Sequence, residues 1–427
     1  MITSDQRKSL KNILQDVDFI FLMINACLLI IGYAWGVYTE GESVTVMKYI
    51  KSFFLGLGGI SLLRGLKLNI TPIPYPTFLH LVLFFFWVIL ISFIGENVAF
   101  AIGRSLALFG PLFYVYIVLH TLLIKYEPLV VLLALIKGFN FVYALPLIGF
   151  LATGVHLEAS NIYGKNVIFY SNQYGWTSVI FILTTIDIWL LTKPKGSYRV
   201  YLIFFSIVAI YLFFIAGNRS SWVSLIFAFM VIIFRLKTMR LDYKIMIITI
   251  PVIATIWMLS IPGSSINSRL IDTENQIEGG EERLVVAKAG FDYLNENKIR
   301  WLTGAGMFNY EEVMYGVVDM QDYHNSYFEV LFGGGIVLFL LFLSFMLFRP
   351  ITYYAKYYSK YFTFLPPLAI IPFFESNLTG GQFLFFPWFS LMFLLNIPPG
   401  YKVTAHQKRK NQGSTKLHPK MVANNTR

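Results

Sequence analysis

The chain has 427 residues, of which 56% are apolar and only 13% charged, and its mean hydropathy is +0.63. A soluble domain carries roughly 25% charged residues, so the composition excludes an ordinary soluble enzyme and points to a polytopic membrane protein. The net charge of +11 does not mark a nucleic-acid binder, because most basic residues lie in short loops and in the tail 402–427.

The N-terminal residues carry some positive charge, but the apolar run 17–37 is long enough to span and no small-residue cleavage site follows. It reads as a retained first helix rather than a cleaved signal. Further runs of spanning length occur at 77–95, 105–124, 128–152, 173–192, 200–217, 221–235, 244–262, 326–348 and 380–397, with weaker ones at 47–63 and 361–375. The expected fold class is therefore all-α: an integral membrane protein of about twelve transmembrane helices with one large extracytoplasmic loop. Residues 1–262 hold helices one to nine, 263–323 the loop, 324–398 helices ten to twelve, and 399–427 a basic cytoplasmic tail. Arg7, Lys8, Lys11, Arg64, Lys67, Lys125, Lys193, Lys195, Arg199, Arg235, Lys237, Arg240, Lys244, Arg349, Lys356 and Lys360 all fall on the side of the tail. That side should be the cytoplasm, with both termini in it. The tail itself, with Lys408, Arg409 and Lys410, reads as a disordered segment attracted to anionic headgroups. The single cysteine, Cys27, excludes an internal disulfide.

The region 263–323 is acidic. Within it, Leu284, Ala287, Phe291 and Leu294 recur at helical spacing, which predicts an amphipathic helix over 281–297 lying over the membrane mouth. Gly279, Gly280, Gly304 and Gly306 mark its boundaries.

Three residues stand out as carriers of chemistry. His324 sits at the outer end of the apolar run 326–348. A neutral imidazole there suits a general base, and Asn325, Ser326 and Tyr327 beside it can hydrogen-bond sugars. Arg219 lies between two apolar runs on the outer side, against the positive-inside bias, and guanidinium binds phosphate in bidentate fashion. Its bland alternative is a snorkelling side chain at a hairpin turn. Arg283 falls in the first turn of the predicted loop helix, where it is poorly placed for its own helix but well placed to help that end hold a phosphate. A surface pair with a neighbouring glutamate is the competing reading. Glu96, Arg104, Ser171, Asn172, Gln173, Glu375, Ser376, Asn377 and Gln382 are expected to line the same mouth, with Glu375 the rival base. Lys137 and Asp187 fall at similar depth in neighbouring helices and read as a structural ion pair. The six histidines are scattered, and the sequence has no metal-ligand spacing, no phosphate loop and no dinucleotide fingerprint. No metal and no cofactor are expected, so an enzyme of this kind needs a pre-activated donor.

These motifs in this order resemble the O-antigen ligase and O-antigen polymerase superfamily of bacterial envelope enzymes. The resemblance covers 175–395. It is carried by Asn218-Arg219-Ser220-Ser221-Trp222, then Arg283, then Gly304-Ala305-Gly306 with Phe308, and then His324-Asn325-Ser326-Tyr327-Phe328-Glu329 up to Gly333, Gly334 and Gly335. Ser220, where the family often has a small residue after the arginine, is a mild departure. The resemblance implies a metal-independent glycosyltransferase of GT-C-like membrane fold in the bacterial cytoplasmic (inner) membrane. Its donor would be a glycan on undecaprenyl pyrophosphate, presented at the outer face. By position, Arg219 and Arg283 would neutralise the leaving pyrophosphate and His324 would take the acceptor proton. Asn218, Ser220, Asn325, Tyr327, Glu375 and Asn172 would contact substrate. A base opposite the leaving group implies inversion. The expected partners are undecaprenyl-pyrophosphate-linked glycans, membrane lipids, and a chain-length regulator and flippase of the same pathway. A polymerase of repeat units for O-antigen, capsule or exopolysaccharide is the leading expectation. A ligase with an acceptor such as lipid A core is the alternative, and a lipid-linked sugar flippase or transporter the third reading.

Overall fold

In a computed structural model of the protein, the described residues are 4–38, 75–95, 97–153, 171–216, 221–226, 228–229, 245, 249, 282–309, 313, 325–348 and 352. Their regular structure is all helical, and no strand occurs among them. In chain order the helices are α1 (Ser4–Leu14), α2 (Val17–Tyr38), α3 (Tyr75–Ser92), α4 (Val98–Lys125), α5 (Pro128–Val142), α6 (Ala144–Thr153), α7 (Ser171–Thr192), α8 (Gly196–Ala216), α9 (Glu282–Glu296), α10 (Arg300–Thr303) and α11 (Ser326–Phe342), the last running into a π-helical turn at Leu343–Phe348. Residues 39–74 and 353–427, which hold the expected second, eleventh and twelfth spans and the basic tail, lie outside the described residues.

Two described stretches are long and apolar enough to cross a membrane. Pro128–Ala152 is buried over 72% of its apolar window, whereas Gly196–Ala216 is buried over 28%. The first is therefore an inner helix pair and the second a peripheral one. On α8, past its first turn, the exposed residues are Val200, Ile203, Phe204, Ile207, Ile210 and Tyr211, a mostly apolar face that suits lipid and not water. Shorter apolar helices occupy Val17–Cys27, Leu79–Ser92, Phe113–Lys125 and Ser326–Phe342.

Interior polar contacts fix how α5, α7 and α8 meet. Asn140 of α5 donates its amide to Thr184 Oγ1 at 2.9 Å and Thr185 Oγ1 at 3.0 Å on α7, while Tyr201 of α8 donates to the Asn140 carbonyl at 3.4 Å. In an apolar surrounding such side chains must pair across helices, so a few bonds set the register. An aromatic seam of Phe181, Tyr201 and Phe205 continues the contact.

The expected Lys137–Asp187 ion pair does not form. Lys137 Nζ instead lies 5.3 Å from the ring centre of Tyr198, at the start of α8, and Asp187 is fully buried with neither carboxylate oxygen hydrogen-bonded. The long lysine chain reaches the helix end, where an aromatic face receives the cation, and does not cross to the acid on α7.

At the predicted cytoplasmic end a single acid ties three helices. Asp16 precedes α2 and its Oδ1 accepts from the Asp18 amide at 2.9 Å, an N-terminal cap. Its Oδ2 accepts from Tyr126 Oη at 2.9 Å and from Lys125 Nζ at 3.3 Å, and Lys125 also reaches Asp18 at 2.8 Å. Burial first, and then the bond to the Asp16 carboxylate, push the Tyr126 phenol up to about 12, so it remains a donor at physiological pH. Replacing Asp16 by Ala removes cap, anion and acceptor together. We expect a loss of about 1–2 kcal/mol in detergent unfolding, and a smaller loss for Asp16→Asn, whose side chain still caps.

Candidate functional site

The loop helix forms almost where its periodicity places it, with α9 spanning Glu282–Glu296. Its inward face is rotated from the expected one. Val286, Ala289 and Leu294 are buried, while Phe291 is 39% exposed. The reason is Gly290. A Cβ there would lie 2.4 Å from the Phe332 ring, so the glycine makes the flat spot on which that ring rests. Phe332 also meets Phe291 edge-on at 5.2 Å and stacks on Phe328 at 5.3 Å. These rings hold α9 against α11. Arg283 lies in the first turn of α9, and the helix fixes its backbone.

The turn from α9 into α10 is stiff. Arg300 pairs with Glu296, donates to the Tyr293 carbonyl at 3.2 Å, and lies 3.8 Å from the Tyr293 ring centre. Trp301 Nε1 donates to Asn295 Oδ1 at 3.2 Å. The chain then enters the segment Gly304-Ala305-Gly306.

This segment fills a break in α11. Gly335 has φ +69° and ψ −176° inside the helix, so the expected continuous span 326–348 is interrupted. Tyr327 and Phe342, at opposite ends of α11, have ring centres only 5.6 Å apart. A straight helix would hold them roughly 20 Å apart at 1.5 Å per residue. The break frees the Phe332 carbonyl, and the Ala305 amide donates to it at 2.8 Å. The approach is backbone to backbone. A Cβ on Gly304 (φ +69°) would lie 2.4 Å from the Gly333 carbonyl carbon, and one on Gly335 would lie 2.4 Å from that of Leu302. Gly306 (φ +95°) lies against the turn after α3 in the same way: a Cβ there would be 2.7 Å from the Gly95 amide nitrogen. Phe308 takes φ +63°, rare for a bulky residue, with its ring buried at 3% exposure.

The start of α11 is a built cap. Asn325 Oδ1 accepts from the Tyr327 amide at 2.9 Å and the Phe328 amide at 3.2 Å. The Asn325 side-chain oxygen is thus committed to the helix, and Tyr327 is buried against Phe342. Both residues shape the site from inside.

Asn172 opens α7. The candidates Asn218, Arg219, Ser220, His324 and Glu375 lie outside the described residues, as does Glu96. Both flanks of the Arg219 hairpin are described. Trp222 packs at 4.7 Å on Phe213 and at 5.2 Å on Phe214 near the end of α8, and Ser221 is fully buried. Arg104, half-buried on α4, stacks over Phe100 at 4.7 Å. What the structure brings together is the helix carrying Arg283, the glycine segment, the end of α3, and the helix that His324 precedes. The sequence signals for this unit were the glycines, which mark both sides of the helix break. Gly95 and Gly290, single glycines in ordinary surroundings, gave no such signal.

Residues 203–343 match the family model described as O-antigen ligase. This segment is similar to the O-antigen ligase family. The match covers about a third of the chain and takes in Arg219, Arg283, the glycine segment, His324 and the break at Gly335. Members of the family are membrane-embedded, glycosyltransferase-like enzymes that act on lipid-linked glycans. Neither a curated protein nor a solved structure matches the chain.

The matched segment depends on close backbone contact at Gly304. Gly304→Ala should unseat the loop from α11, because both the backbone angle and the Gly333 carbonyl oppose a methyl group. We expect at least ~2 kcal/mol of destabilisation in detergent unfolding and loss of activity in cells, while Gly103→Ala, whose Cβ meets open space, should change neither.

Proposed function

We propose that the protein is a polymerase of undecaprenyl-pyrophosphate-linked oligosaccharide repeat units, working at the outer face of the bacterial cytoplasmic membrane. The observation that carries this reading is the O-antigen ligase match over 203–343, which contains both arginines and the histidine in order. The packing of α9 on α11 adds support, since it puts the helix of Arg283 and the helix preceded by His324 on one rigid unit.

In this reading the acceptor hydroxyl attacks the anomeric carbon of the donor, and the bond from that carbon to the pyrophosphate oxygen breaks. The hydroxyl proton passes to the His324 imidazole, and undecaprenyl pyrophosphate leaves as an anion. Arg219 and Arg283 neutralise the charge that grows on the leaving group, which is where fixed cations lower a barrier most. Asn218, Ser220, Asn172 and Glu375 contact the sugars, and Asn325 and Tyr327 frame them. Attack opposite the leaving group inverts the anomeric centre. The acceptor is a sugar on a second lipid-linked unit, the choice made by the more numerous and varied branch of the superfamily. The ligase reading, with an acceptor such as lipid A core, keeps the same donor chemistry and is favoured by the description of the matching family. A transporter is the weakest reading. Its broken helices would line a path for substrate, whereas the break in α11 is filled by Leu302 and Gly304-Ala305 of the chain itself.

The deciding measurement is the profile of undecaprenyl-linked glycans in a strain lacking the gene, complemented with wild type or variants. Single repeat units should accumulate in the deletion strain. Long polymer retained on its lipid carrier would establish the ligase instead. His324→Ala should reproduce the deletion profile with normal membrane insertion, and a normal profile from that variant would remove His324 as the base. Arg219→Lys and Arg283→Lys should each lower turnover by about 10²–10³-fold, because an ammonium group does not replace a bidentate guanidinium.

A further inference from the structure

The turn between α7 and α8 carries charge that the protein does not balance. Lys193 and Lys195 stand exposed on this turn, and Arg199 stands exposed at the start of α8. No carboxylate of the described residues pairs with any of them, and the first turn of α8 contains no acid. Asp187, the acid of α7, is fully buried and bonds to none of them, and Lys137 is taken up over Tyr198. The corner at Lys125 shows the contrast, because there Asp16 and Asp18 hold the cation at 3.3 and 2.8 Å. The α7–α8 turn is also well defined. Lys193 takes φ +49° and its amide donates to the Trp189 carbonyl at 3.4 Å, Pro194 follows, and Gly196 takes φ +59°. The Arg199 guanidinium lies 5.5 Å from the ring centre of Trp189, a half-buried aromatic at the helix end.

Beyond these cations the surface changes character at once. Ile203 and Ile207 follow Arg199 along one face of α8, one and two turns on, and Val200 and Phe204 lie beside them, all exposed. Three cations at one end of a lipid-facing apolar stripe, next to a tryptophan, complement a molecule whose anionic head is joined to hydrocarbon chains. We propose that this corner is a binding site for an anionic phospholipid. Its phosphate oxygens accept from Lys193, Lys195 and Arg199, and its acyl chains lie along Ile203, Phe204 and Ile207. The charge bias of the chain predicts that this end is the cytoplasmic one, so the lipid comes from the inner leaflet. A soluble anion would satisfy the cations and leave the apolar stripe unused. A zwitterionic lipid would cover the stripe and leave the cations unbalanced.

The test uses purified full-length protein in mild detergent, with native mass spectrometry reading the Kd of the first bound lipid. The probes are dioleoyl phosphatidylglycerol, dioleoyl phosphatidylcholine, which has the same chains without net charge, and glycerophosphoglycerol, which has the same head without chains. Each cation near a headgroup contributes about fivefold in affinity, so wild type should prefer phosphatidylglycerol to phosphatidylcholine by about 10²-fold. Lys193→Gln with Lys195→Gln should weaken phosphatidylglycerol binding by about 10–30-fold, and adding Arg199→Gln should bring it to the phosphatidylcholine value. Lys8→Gln with Lys11→Gln removes the same charge from the exposed face of α1, a helix that leads into Asp16 and Asp18. That variant should change the affinity by less than about twofold. Equal wild-type affinities for the two lipids, no loss in the α7–α8 variants, or equal losses in the two double variants would each overturn the proposal. Displacement of phosphatidylglycerol by an equal concentration of glycerophosphoglycerol would assign the corner to a soluble phosphate ester and overturn the lipid reading. Where the triple variant fails to fold, Lys195→Gln alone decides: a loss of about fivefold is expected, and no loss rejects the site.

Discussion

A backbone carbonyl inside a membrane protein has no water to turn to, and leaving it unpaired costs several kcal/mol. That constraint governs the arrangement of this protein around Gly335. When α11 breaks there, the Phe332 carbonyl loses its helical partner, and the Ala305 amide takes its place. Backbone approaches backbone closely there, which is why glycines occupy 304 on one side and 333 and 335 on the other. Through this junction the polar segment 297–309 becomes part of the packed helical body.

Everything at the candidate site hangs from that junction. The stiff corner between α9 and α10 leads straight into it, and the Phe332 ring on Gly290 locks α9 to the same part of α11. The helix bearing Arg283 is thus fixed relative to the capped end that follows His324. The glycosyl transfer proposed above needs cation, base and substrate to meet within hydrogen-bond reach, and misplacement by an ångström costs orders of magnitude in rate. Insertion of the polar segment into the broken helix is the kind of support such a site requires.

The interior polar residues separate into two kinds. Asn140, Thr184, Thr185 and Tyr201 bond to one another and set the register of α5, α7 and α8. Asp187 and Lys137 do not pair, because the lysine runs to Tyr198 at the end of α8. Similar depth in a hydropathy plot is not contact. Whether two side chains meet depends on helix rotation and on where a long chain finds its nearest favourable face.

Much of this protein is written in local pattern. Hydropathy determines a membrane protein, because spans need apolar runs of a set length. Helical spacing located α9 to within a residue of each end. The motif order of Arg219, Arg283 and His324 is likewise a property of sequence, and the resemblance it carries agrees with the O-antigen ligase match over 203–343. Only the tertiary structure decided which face of α9 turns inward, because that depends on one glycine meeting one ring. It also decided that the run 326–348 is broken. An apolar stretch has the same hydropathy straight or folded back, and the glycines permit the break without requiring it. The requirement comes from the loop that fills it, far away in sequence and adjacent in space. The cap of α11 has the same character: Asn325 is legible in the sequence, but its role follows from where the helix begins.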